Sequence, residues 1–199
     1  MTTTSAPRFT IGLLLSAMSS LALAHPDGHG AHDLAAGFLH PFSGLDHLLA
    51  MIAVGLWAVR LGRRAVWTLP IVFPLAMVAG AGLALSGTPL PAIEPMIALS
   101  VIVLGVLVAV GVRLPVVASA LLVAMFAIFH GYAHAAEAPS SQIGIYAVGF
   151  VTATVILHAL GVLAGMAAMR QANAPLQIQL NRFAGFAIAV SGAVVFLTT

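Results

Sequence analysis

The stretch HPFSGLDHLLAM, residues 40–51, opens the first long apolar run beyond the leader and sets His40, Asp46 and His47 at its lip. An Asp costs about 2.5 kcal/mol or more at the centre of a membrane helix, so such groups belong inside a protein and mark function. Whether lipid is the setting depends on the rest of the chain. Of 199 residues, 61% are hydrophobic and 6% charged, and the mean hydropathy is +1.12. These values lie far outside the soluble globular range and describe an all-α integral membrane protein. The sequence pI of 9.9 reflects seven Arg, no Lys and five acids, with no basic cluster beyond Arg60, Arg63 and Arg64. That distribution excludes a nucleic-acid binder. With no Cys, disulfides, thiolate metal sites and thiol nucleophiles are excluded as well.

Upstream, residues 1–24 read as a cleaved secretory signal peptide: Arg8, the apolar FTIGLLLSAMSSLALA, and the small-x-small ending at Ala24. The run is short for a span of about 20 residues. Cleavage leaves residues 25–199 as a single domain with six Arg against five acids. On that same ruler this domain divides into six transmembrane helices, expected near 36–59, 66–86, 93–112, 114–137, 143–169 and 176–198. Pro115 and Pro175 suit helix starts, whereas Pro70 and Pro74 should kink the second span. Arg60, Arg63, Arg64, Arg113, Arg170 and Arg182 all fall on one side. The positive-inside rule makes that side cytoplasmic, with both mature termini periplasmic in a multi-pass inner-membrane protein.

All eight His and all five acids then lie in outer segments or within spans. The N-terminal segment 25–35, with His25, His29 and His32, reads as a mobile periplasmic arm suited to cation capture. His40 and His47 are about 10.5 Å apart in rise on an ideal helix, too far to grip one ion. Pro41 and Gly44 favour an interruption that brings His40 toward Asp46 and His47, which is tolerated at membrane depth where backbone lines a cavity. Met51 lies one turn deeper. In FHGYAHAAE, His130 and His134 are i,i+4 neighbours with Glu137 three residues on, a spacing that lets two imidazoles share a cation. A zincin needs Glu directly after its first His, and Gly131 stands there, so a metalloprotease is excluded. Gly131 and Ala133 suit close helix packing. Glu94 starts the third span, and His158 lies about 22 Å along the fifth, where a hydrogen bond to Thr154 is the plain alternative to a place on a path.

By depth these residues form stations for a cation. Imidazole and carboxylate suit divalent first-row metals, without choosing among nickel, cobalt and zinc. No P-loop indicates nucleotide use, no prosthetic group is implied, and a homo-oligomer is compatible with the chain. Two other functions fit the pattern: a metal-binding sensor or accessory protein that does not transport, and a redox protein with haem held by His47, His130 or His158.

HPFSGLDHLLAM and FHGYAHAAE resemble signatures of the HupE/UreJ family, as do Glu94 in AIEPM and His158 in LHALG. The resemblance implies a permease and not an enzyme, importing Ni²⁺ or Co²⁺ from periplasm to cytoplasm for hydrogenase or urease maturation. It also implies functional roles for His40, Asp46, His47, His130 and His134. In the family a Gly usually follows the last His of the second signature; Ala135 stands there instead.

Overall fold

The structure is a computed structural model and describes residues 29–138, 143–171 and 173–198. The signal-peptide reading and His25 lie outside these residues. Among the described residues there are seven helices and no strand: α1 (His29–Ser43), α2 (Leu45–Leu61), α3 (Arg63–Leu85), α4 (Ile93–Val110), α5 (Val116–Glu137), α6 (Ile143–Gln171) and α7 (Ala174–Thr198). Five of them, α3 to α7, are long and apolar enough to cross a bilayer. Large apolar side chains such as Trp67, Phe183 and Leu197 are exposed on the outer faces, which would be a liability in water and is the expected lipid contact of a multi-pass membrane protein.

The first expected span differs. Instead of one helix over 36–59, α1 and α2 meet at a 79° bend. The break falls at Gly44, whose backbone is extended (φ −96°, ψ 116°), while Pro41 stays inside α1. The segment expected to be mobile over 25–35 is helical from His29 onward. Ala31, Leu34, Ala35 and Ala36 are good helix formers, and α1 is held by packing against α6. Pro70 and Pro74 lie within α3 without ending it.

The helices associate mainly as α3 with α5, α4 with α7, and α1 and α2 with α6. Small residues form each seam, as membrane helices require when no hydrophobic effect drives them together. A Cβ on Gly131 would run into the Met77 backbone of α3, and one on Gly161 into the Ile52 carbonyl of α2. The close packing expected of Gly131 is therefore present, and it brings α5 hard against α3.

Candidate metal centre

The bend at Gly44 assembles the outer part of the site. It folds His40 at the end of α1 back over the first turn of α2, so the His40 and His47 ring centroids lie 6.3 Å apart. Asp46 Oδ1 accepts hydrogen bonds from the His47 backbone N–H at 2.8 Å and is paired with His47 Nδ1 at 2.7 Å. This carboxylate fixes the imidazole and leaves Nε2 buried without a hydrogen-bond partner, the arrangement by which an outer carboxylate orients a metal-binding histidine.

Helix α5 brings the second pair. His134 lies with its ring centroid 4.8 Å from His40 and 4.4 Å from His47, and His130, one turn below, is 5.0 Å from His47. His130 Nδ1 is bonded to the Phe126 carbonyl at 3.0 Å, leaving Nε2 buried and unpartnered, and neither nitrogen of His134 has a partner. Buried polar atoms are nearly always satisfied, so four orphaned nitrogens from three histidines in one cluster call for a ligand. Glu137 Oε2 closes the outer rim, 3.3 Å from His40 Nε2.

His40, His134 and Glu137 offer ligand atoms all within 4.8 Å of one another. Nitrogen and oxygen ligands about 2.1 Å from a zinc-like ion lie at most about 4.2 Å apart. Three ligands on one ion sit closer still, about 3.4 Å apart when tetrahedral, so side-chain movement of about an ångström would close the trio on a metal. Asp46 and His47 supply a further carboxylate and imidazole immediately beneath it.

Aromatic residues shape the walls. Phe150 stacks at a tilt against His134, centroids 4.0 Å apart, and Tyr146 lies 5.9 Å from His40. An apolar cavity of about 320 Å³ adjoins His134 between α3, α5 and α6, bordered by Met77, Gly131 and Phe150. Phe73 of α3 packs below His130 at 5.5 Å. These aromatics escaped the sequence reading. A usable signal was present on α6, where Tyr146, Phe150, Thr154 and His158 recur every four residues on one face.

The other expected residues are not drawn into this cluster. Glu94 is exposed in the first turn of α4. His29 and His32 lie on the first turns of α1, and Met51 is part of the apolar core. His158 is buried deeper, on α6; Thr154 donates to the Phe150 carbonyl at 3.0 Å and not to His158.

The chain matches the family model described as HupE / UreJ protein over residues 13–195. It is 45% identical over 187 residues to "Protein HupE" of Rhizobium leguminosarum bv. viciae, an alignment covering 94% of this chain and 95% of that protein. No solved structure matches it.

Proposed function

The chain belongs to the HupE/UreJ family, and we propose that it is a permease that carries a divalent transition-metal ion, Ni²⁺ foremost and Co²⁺ next, from periplasm to cytoplasm. The ion would supply hydrogenase or urease maturation, the role with which the family is associated. One observation carries the reading: imidazoles from two separate signatures converge inside an apolar bundle with their nitrogens unsatisfied.

His40, His134 and Glu137 take the ion at the outer rim, with Glu94, His29 and His32 as cation-attracting groups around the periplasmic face and His25 in the same role on the N-terminal arm. The hydrated ion exchanges water for imidazole nitrogen and carboxylate oxygen, then passes to His47 and His130, where Asp46 offsets its charge. Neutral nitrogen ligands favour a borderline first-row cation over alkali or alkaline-earth ions. Several moderate sites in succession permit release, as conduction demands.

The test is the initial rate of nickel accumulation in cells lacking their own nickel importers, comparing this protein with its His47→Ala variant at matched membrane abundance. Uptake that disappears with His47 supports the reading. Saturable binding without accumulation in sealed vesicles would replace it with a sensor or accessory role, and visible haem absorption in the purified protein with a redox one.

A further inference from the structure

We propose that His158 and the Thr154 hydroxyl form a second, inner station for the transported cation, linked to the outer histidines through the ring of Phe73. The proposal rests on the permease reading above and adds the step between capture and release. His158 is 1% exposed, and both of its ring nitrogens lack a partner. An imidazole in that state is as costly as those of the outer cluster and equally in need of a ligand.

The surroundings can supply more than one ligand. Thr154, fully buried one turn outward on the same face of α6, spends its only hydrogen on the Phe150 carbonyl and keeps oxygen lone pairs for an ion. Facing α6 is Phe73 on α3, itself fully buried. Its ring lies 5.5 Å from that of His130 and 5.0 Å from that of His158, edge-on to both. One apolar ring thus touches both histidines, so an ion moving from His130 to His158 passes along Phe73.

Helix α3 is built to yield at this point. Pro70 and Pro74 flank Phe73, and each lacks the N–H that would pair with the carbonyl four residues earlier. The carbonyls of Val66 and Pro70 therefore lack their helical amide, which loosens α3 around Phe73 and frees backbone oxygens such as those that line transporter ion sites. The two stations also differ in charge. Asp46 and Glu137 serve the outer one, whereas no acidic residue follows Glu137 and none lies on α2 beyond Asp46 or on α3. An inner station made of neutral ligands holds a divalent cation more weakly, which favours release toward the cytoplasm.

The absence of Cys makes ligation at this position directly visible. In the purified His158→Cys variant titrated with Co²⁺, we expect a saturable thiolate-to-cobalt charge-transfer band in the near ultraviolet, since a coordinated thiol loses its proton. Absence of the band, while equilibrium dialysis shows cobalt bound by the outer cluster, overturns the inner station. In proteoliposomes His158→Gln should keep the tighter nickel binding of the outer cluster, lose the weaker second equivalent, and lose about tenfold or more of its initial uptake rate. Wild-type uptake by that variant also overturns the inner station and leaves the permease reading intact. If the wild-type protein neither binds nor accumulates nickel or cobalt, the permease reading falls, and the inner station with it.

Discussion

His134 is 4% exposed, touches the rings of His40, His47 and Phe150, and bonds through neither nitrogen. A buried polar group left in this state costs about 1–3 kcal/mol, a destabilisation that metal binding would offset on the proposed reading. His134→Leu should therefore raise the thermal midpoint of the metal-free protein in detergent while abolishing nickel binding by the outer cluster and uptake. The wild-type protein should gain about 2.7 kcal/mol from nickel at a hundred times its Kd, and the variant far less at the same nickel concentration; thermal melts with and without metal make the comparison. Asp46 acts differently, through the 2.7 Å contact that holds the His47 ring. Asp46→Asn keeps an oxygen acceptor but loses the charge, so nickel affinity by equilibrium dialysis should fall about 10–100-fold at near-normal membrane abundance. At this scale the sequence was informative wherever chemistry is rare: in a chain with 6% charged residues, each His, Asp and Glu stands out. Phe73 was not legible because one aromatic among so many apolar residues carries no mark of facing a site, whereas Tyr146 and Phe150 showed themselves only through the four-residue repeat that leads to His158.

The element that decides the site is the joint between α1 and α2. Gly44 sits in an extended conformation open to any residue, so its reason for being glycine is space. A Cβ there would stand 2.8 Å from Asp46 Oδ1 and 2.9 Å from His47 Nδ1. Gly44→Ala should leave the bundle folded, displace the Asp46 and His47 pair, and lower nickel uptake at matched abundance. An uptake rate equal to wild type would detach the joint from the site. Gly131 works at a helix seam instead, against the backbone of Met77, whereas Gly82 on α3 faces open space. Gly131→Ala should cost thermal stability and membrane abundance, while Gly82→Ala should be neutral or gain about 0.5–1 kcal/mol from the lost flexibility of a mid-helix glycine. An interruption near Pro41 and Gly44 was readable from their backbone preferences. Its 79° angle was not, because α1 turns to pack on α6, a partner about a hundred residues away in the chain.

Across the whole molecule, the helices α1, α2, α5 and α6 that carry the described histidines meet around the cluster, with α3 contributing Phe73. Helix α7 pairs with α4 through Gly105 and Gly185 and brings no histidine or carboxylate to the cluster, so this pair reads as a scaffold that presses on α2 through α4. Hydropathy made the five long apolar helices α3 to α7 legible because lipid imposes one length rule on each helix; which helices pair depends on seams distant in sequence and left no such trace. Orientation rests on charge. Arg60, Arg63, Arg64, Arg113, Arg170 and Arg182 lie toward the α2–α3, α4–α5 and α6–α7 ends, and Asp33, Asp46, Glu94 and Glu137 toward the opposite ends. On the proposed permease reading, the positive-inside rule puts the histidine cluster at the periplasmic face and His158 toward the cytoplasm, the orientation in which an acid-assisted outer site and a neutral inner one would make an importer. The Cys-free chain allows this to be read with single thiols. In spheroplasts a membrane-impermeant maleimide should label Thr88→Cys, between α3 and α4, and spare Asn173→Cys, before α7, until the cells are opened. The reverse pattern would place the histidine cluster in the cytoplasm and turn the same sequence of stations into a route for export.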